Sequence, residues 1–249
     1  MSLKIDNENI FFLLPESRYA VSDRIDGYME EDFTLHVTAK LFPETLTENE
    51  SFILARNGMH SGVSAFKDQH GDVNVMFTYW FEDKKGNPKP KQLFYKLKDS
   101  ELNEFNRYTM ICDHNNEKKI SCYVNDELIG DIFYKNDKKQ SYVNSFYWFA
   151  CGSMIGPEEH RGLGVFEYSM TFILKKAISF DEVNDLIENY EEKYTDIVFN
   201  DLRKLKNDYK LKEHFAFFSD FKHYNRYKVW DLSFNGNYPQ FYIEHNIYF

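Results

Sequence analysis

ISCYVNDELIGDIFY, residues 120–134, alternates apolar and polar positions, breaks at Asn125-Asp126-Glu127 and then resumes. A period of two marks a half-buried strand. Asn-Asp between two such runs is turn chemistry, because both side chains tolerate positive φ and so suit a tight type I′ reversal. The stretch predicts two antiparallel strands folded on each other. Ile120, Cys122 and Val124 turn inward, and Leu128 and Ile129 resume the core contact. It reads as scaffold rather than chemistry.

The same rhythm extends upstream. RYTMICD (residues 107–113) supplies a strand before the hairpin, and a reversal around residues 113–118 sets Cys122 opposite about Thr109, out of register with Cys112. Three cysteines, Cys112, Cys122 and Cys151, cannot all pair within one chain, and none lies in a CxxC arrangement. Free thiols in a reducing, cytoplasmic compartment are the expectation. FTLHVTAKLF (33–42) puts Phe33, Leu35, Val37, Ala39 and Leu41 on one face against Thr34, His36, Thr38 and Lys40 on the other. SFILARNG, GVSAFKD and DVNVMFTYWFED come next, at the spacing of a meandering sheet. KKGNPKPKQ (84–92) reads as a Lys/Pro/Gly loop that cannot join a central strand.

Downstream, SYVNSFYWFACGS (141–153) is a strongly aromatic strand, SMIGPEEHRGLG a loop, and VFEYSMTFILKKA (165–177) alternates again. Towards the N-terminus NIFFLLP (9–15) reads as a strand, and residues 16–32 as turn formers and charge. The period changes at Ser179. Ser179 stands as an N-cap with Asp181 and Glu182 in the first turn, and Val183, Leu186, Ile187, Tyr190 and Tyr194 recur at helical spacing, giving one or two helices over about 179–210. HFAFFSDF, WDLSFNGNYP and QFYIEHNIYF return to β character. The expected organisation is a β-sandwich over 1–178 with a helical and β extension over 179–249 packed on it.

The 249 residues suffice for one large core, and 24 Phe and 18 Tyr suit strands whose rings fill a sheet interface or line a binding face. A net charge of −10 repels phosphate backbones and anionic membranes, so neither nucleic acid nor a membrane is the expected partner. The longest apolar run, residues 10–14, is too short to span a bilayer, and MSLKIDNEN lacks the order of a signal peptide.

Taken in order, these stretches resemble the laminin-G-like branch of the concanavalin A-like lectin and glucanase superfamily. EEDFTLHVTAKL resembles its early strand, SFILARNGMHSGVSAF the next pair, and FNRYTMICDHNNEKKISCYVNDELIG its strand–turn–hairpin. WFACGS resembles a later strand, and GVFEYSMTFILKKAISFDEVNDL the closing strand with its helix start. The resemblance covers about residues 10–188. Two positions depart from it: Asp126-Glu127 replace a turn glycine, and Tyr108 stands where many relatives carry Trp. YKVWDLSFNGNYPQF near the C-terminus looks like a loop that relatives carry before their first strand, so either the chain is permuted or a second module begins here and is cut short, and an accessory subdomain packed on the sandwich is the expectation. The resemblance implies an all-β, two-sheet antiparallel jelly roll.

Sugar binding needs rings that lie flat on pyranose faces, with amides and carboxylates to fix hydroxyls. Tyr79 and Trp80 in one strand and Tyr147 and Trp148 in another are the candidate rings, paired as Trp80 with Tyr147 or Tyr79 with Trp148, since alternation turns half of them inward. Glu158, His160 and Arg161 offer polar contacts in the 153–164 loop. A hydrolase of this superfamily would carry two carboxylates in an alternating ExDxxE strand pattern, which is absent; Glu182, Asp185 and Glu188 fall in the helix start, where they cap and solvate. His36, His60 and His70 lack metal-ligand spacing. Calcium is the better metal candidate: Asp231, Asn235 and Asn237 present hard oxygens, and several relatives bind it. The expected function is a non-catalytic carbohydrate-binding, lectin-like module, as a homo-oligomer or joined to a further domain. The alternatives are a glycoside hydrolase or lyase with an unrecognised carboxylate pair and a protein–protein assembly module.

Overall fold

The computed structural model describes residues 3–5, 18–21, 31–46, 48, 51–57, 61–82, 85, 87–134, 138–139, 166–194, 215–219 and 240–243. In chain order the strands are β1 (Leu3–Ile5), β2 (Arg18–Val21), β3 (Phe33–Leu41), β4 (Ser51–Asn57), β5 (Ser61–Lys67), β6 (Val73–Glu82) and β7 (Pro88–Lys96). They continue with β8 (Phe105–Asp113), β9 (Lys119–Val124), β10 (Glu127–Phe133), β11 (Lys138–Lys139) and β12 (Phe166–Leu174). Helix α1 (Phe180–Tyr194) then precedes β13 (Phe215–Ser219) and β14 (Gln240–Ile243).

Among the described residues seven strands form one antiparallel sheet in the order β1-β12-β3-β8-β9-β10, with β13 also on β12. Five form a second, β11-β6-β5-β4, with β7 on β6, and β14 pairs with β2. The two larger sheets stack as a sandwich of jelly-roll type. Its interior holds Phe33, Leu35, Val37 and Ala39 of β3, Tyr108, Met110 and Cys112 of β8, and Ile120, Cys122 and Val124 of β9, facing Val63, Ala65, Val75, Phe77 and Phe81 of the smaller sheet. Each set is one parity of a strand, so the sequence alternation is what divides core from surface.

The β9–β10 hairpin closes through a two-residue turn in which the left-handed conformation falls on Asn125 alone, at φ 53°. The Asn125 side chain carries the rest of the turn. Its Oδ1 accepts from Arg107 N at 3.0 Å while its own backbone N donates to Arg107 O at 2.7 Å, and Asp126 pairs with Arg107 Nη2 at 2.8 Å. Leu128 departs from the inward reading: it stands opposite the outward Tyr123 and is half exposed, and the bulge between Leu128 and Gly130 then shifts the parity of β10 while Ile129 still packs on the core. Cys122 sits opposite Met110, one residue from the expected register, and Cys112 opposite Ile120, so the two buried thiols are not paired with each other.

Three segments correct the sequence reading further. Part of the Lys/Pro loop is strand: Pro88–Lys96 pairs residue for residue with β6, and β6 is its one ladder partner among the described residues. Proline is tolerated there because an edge strand needs no second ladder. Arg18–Val21, read as turn, forms β2 against β14, and Leu3–Ile5 adds to β12. The aromatic segment 141–153 and the strand expected at 9–15 lie outside the described residues.

Helix α1 starts as its sequence dictates. Glu182 N donates to Ser179 Oγ at 3.2 Å, and Ser179 N donates to Glu182 Oε2 at 2.8 Å, a reciprocal capping box. The helix buries Val183, Leu186 and Ile187, Phe180 stacks on Tyr123 at 4.1 Å, and Asn184 accepts from Arg107. Tyr123 and Arg107 point away from the sandwich interior, so α1 covers the outer face of the seven-stranded sheet. Met170, Phe172 and Leu174 of β12 are buried on that same outer parity.

Candidate functional site

The outer faces of the two sheets are where a ligand or partner would meet the sandwich. On the seven-stranded sheet, register places Phe172, His36, Thr109 and Tyr123 in one row across β12, β3, β8 and β9. His36 is fully buried there. Its Nδ1 meets Thr109 Oγ1 at 2.9 Å, its Nε2 meets Thr38 Oγ1 at 2.8 Å, and its ring stacks on Phe172 at 4.9 Å. Burial, with Arg107 adding to it, lowers the imidazole from 6.5 to about 3, so the ring is neutral with both nitrogens engaged. This is a satisfied core histidine. His70 lies in the turn between β5 and β6, where its backbone N donates to Asp68 Oδ1, and His60 is outside the described residues. Among the described residues no three metal-ligating side chains converge.

The five-stranded sheet is different. Its outer parity reads Phe66 on β5, Asn74, Met76, Thr78 and Trp80 on β6, and Pro90, Gln92, Phe94 and Lys96 on β7. The cross-strand pairs are Trp80 with Pro90, Thr78 with Gln92, Met76 with Phe94 and Asn74 with Lys96. Over β5 and β6 this face is covered, with Ser64, Thr78 and Met76 buried. Along β7 it opens: Pro90, Gln92, Phe94 and Lys96 are exposed, Phe94 with 53% of its surface in water, and Trp80 is intermediate.

The result is a strip along the sheet edge with rings at both ends and an amide between them. Pro90 and Phe94 are four residues apart on one strand, about 13 Å. Gln92 Nε2 lies 3.1 Å from Met76 Sδ and 3.5 Å from Thr78 Oγ1, which aligns the amide along the strip and leaves its carbonyl as an acceptor. Phe66 meets Phe94 edge to face at 6.0 Å and holds its ring. At the far end Lys96 pairs with Asp72 at 2.5 Å, and that hydrogen bond raises the Lys96 pKa. The strip offers flat apolar surface, an amide and an ion pair.

Of the residues singled out in the sequence, Trp80 lies on this strip and Tyr79 does not. Tyr79 is 2% exposed and points between the sheets. Its hydroxyl meets His114 Nε2 at 3.1 Å, His114 Nδ1 meets the Tyr134 hydroxyl, and Phe33 and Phe81 pack around the group. Asp32 then fixes the following turn by accepting from the backbone of His114 at 2.8 Å and of Asn115 at 3.1 Å. Tyr79 therefore belongs to a buried polar clamp that joins the sheets at one end, and alternation decides that Trp80 is the outward ring. Tyr147, Trp148, Glu158, His160 and Arg161, and the calcium candidates Asp231, Asn235 and Asn237, lie outside the described residues. Gln92 and Phe94 escape a sequence reading that takes the Lys/Pro run as loop. The alternation Pro90, Gln92, Phe94, Lys96 is the signal that reveals them.

The fold so built defines a two-sheet antiparallel β-sandwich of jelly-roll type. No family model and no curated protein matches the chain. Among solved structures it is similar to a candidate carbohydrate binding protein from Bacteroides ovatus, at 12% identity and a TM-score of 0.51 over 91% of this chain and 56% of that one. It is also similar to the binding domain of botulinum neurotoxin DC, solved in complex with SialylT, at 14% identity and a TM-score of 0.42 over 69% of this chain and 38% of that one. The binding domain of Paraclostridial mosquitocidal protein 1 matches at 15% identity and a TM-score of 0.44, over 76% and 43%. The chain thus spans little more than half, or less, of each of these structures.

Proposed function

We propose that this chain is a non-catalytic carbohydrate-binding module of the concanavalin A-like, laminin-G-like kind, which binds a glycan along the outer strip of β6 and β7. The observation that carries the reading is the alignment of an exposed Phe94 and an outward Trp80 on either side of the Gln92 amide, where the outer face of the five-stranded sheet opens along β7. Rings supply contact with apolar sugar faces, and the amide fixes a hydroxyl. Likeness in fold to the Bacteroides ovatus protein supports the class of ligand by analogy. Tyr147 and Trp148, with Glu158, His160 and Arg161, extend the surface in this reading, and Asp231, Asn235 and Asn237 hold calcium.

A glycan-array screen followed by calorimetric titration, with calcium and with chelator, tests the proposal. Phe94→Ala and Trp80→Ala are expected to weaken binding of an array hit by roughly tenfold each, about 1.4 kcal/mol for losing one stacked ring. Unchanged affinity in both variants would remove the strip from the function. A second reading, a protein–protein assembly module, is favoured by the exposed Phe94, Phe105, Leu128 and Phe133. A dimer by light scattering that Phe94→Ala or Phe133→Ala dissolves, with no array hit, would establish that reading instead.

A further inference from the structure

The polar group at the centre of the strip is turned to accept rather than to donate. Gln92 Nε2 donates to Met76 Sδ at 3.1 Å and to Thr78 Oγ1 at 3.5 Å, so both amide protons are used against the sheet and Oε1 is left as the acceptor of an exposed side chain. Such a carbonyl takes a hydroxyl proton and repels carboxylate or sulfate oxygens, which bring none. The neighbouring cations are committed within the chain. Lys96, the one lysine of β7 on this face, pairs with Asp72 at 2.5 Å, and Lys98 pairs with Glu127 at 2.8 Å. Lys89 and Lys91 stand opposite Phe81 and Tyr79, on the other parity of β7, where Lys91 donates to the Phe133 carbonyl. The net charge of −10 adds to the repulsion of an anionic ligand.

Spacing sets the size of the ligand. Pro90, paired with Trp80 across the ladder, and Phe94 stand about 13 Å apart along one strand, more than a single sugar ring spans, with Gln92 midway between them. The three β7 side chains are exposed in one row, so the surface they make is straight. Resting on the carbohydrate reading, we infer that the ligand of this strip is a neutral, extended polysaccharide, whose separated sugars lie on the Trp80–Pro90 pair and on Phe94 while a hydroxyl between them donates to Gln92 Oε1. Phe66 holds the Phe94 ring and Pro90 is rigid by its own ring, so little side-chain freedom is lost on binding.

The test is calorimetric titration of the full chain at about 0.05 and 0.5 M NaCl. The probes are the extended β-1,4-linked hexasaccharides of glucose, mannose and xylose, their disaccharides, the curved α-1,4-linked glucose hexasaccharide, polygalacturonate and heparin. The expected result is that one extended hexasaccharide binds with less than about twofold change between the two salt concentrations. Its disaccharide, the curved hexasaccharide and both polyanions bind at least roughly tenfold more weakly. Gln92→Leu weakens the hexasaccharide by roughly tenfold, and Gln92→Glu, which keeps an acceptor in place, weakens it less. Gln92 is exposed on an edge strand, and an unchanged urea midpoint verifies that each variant folds. A polyanion bound more tightly than the hexasaccharides, a disaccharide or the curved chain bound as tightly, or Gln92→Leu without effect would overturn the inference and leave the carbohydrate reading standing. No probe bound, with an array hit that Phe94→Ala abolishes, would do the same. No probe bound and no array hit would overturn both.

Discussion

On the outer face of the seven-stranded sheet His36 is sealed between Phe172 and two threonines, whereas on the outer face of the five-stranded sheet Phe94 keeps 53% of its surface in water. Both faces are built by alternation along their strands, and both carry aromatic rings. They differ in the chain segment beside them. After β12 the sequence turns at Ser179 into an amphipathic helix whose Val183, Leu186 and Ile187 close the first face, and the edge strand β7 has prolines and lysines that keep a further strand off the second. A covered outer face becomes a second core. An open one becomes a surface that can recognise something.

The comparison breaks most sharply on a pair of ring deletions. Phe172→Ala is expected to cost about 3–5 kcal/mol, since it empties a fully buried site and unstacks His36. Phe94→Ala should change stability by no more than about 0.5 kcal/mol while reducing binding. Urea unfolding of the two variants measures the difference; equal costs would mean that the strip is core as well.

Acid sharpens the same contrast. The unfolded chain protonates His36 near its ordinary 6.5, and the folded chain refuses the proton until about 3, so within that window the unfolded state binds more protons. Stability therefore falls as pH drops from 6.5 towards 3, by up to about 1.4 kcal/mol per pH unit from this group alone. Comparing His36→Gln with the parent across that range isolates it, and an identical pH slope in the two would contradict a buried neutral ring.

A smaller loss than that of Phe172 belongs to the helix that closes the face. Ser179→Ala removes the cap and should cost about 1 kcal/mol. The Ser179 backbone and side-chain hydrogen bonds hold the Glu182 carboxyl below its usual range, so that contribution is present at neutral pH and is lost as acid protonates Glu182. In Ser179→Ala the Glu182 pKa, followed by NMR, returns towards the ordinary carboxylate value.

Much of this architecture was legible in the sequence where a strand's two faces differ. Phe33–Leu41 and Val73–Glu82 show their inward rows directly, and Ser179 with Glu182 announces the helix start. The hidden features have physical reasons. Leu128 faces outward because the two-residue turn sets it opposite Tyr123, a register that the alternation alone does not show. In Pro88–Lys96 the prolines, taken as loop punctuation, mask a strand that survives because it is an edge. Tyr79 and Trp80 are adjacent and chemically alike, so only the parity of β6 could assign one to the clamp with His114 and the other to the strip. The short strands β1 and β2 gain their identity from partners more than a hundred residues away.

The place of β3 in the middle of the larger sheet has a temporal consequence. Its ladders run to β8 and to β12, and Thr34 Oγ1 bonds Lys176 O across 142 residues. During synthesis at roughly 5–20 residues per second, the very apolar segment Phe33–Leu41 waits on the order of ten seconds for its second neighbour to emerge. Through that interval one edge of the strand has no ladder partner, so slowing synthesis between Leu41 and Phe166 should lower the soluble yield of the chain.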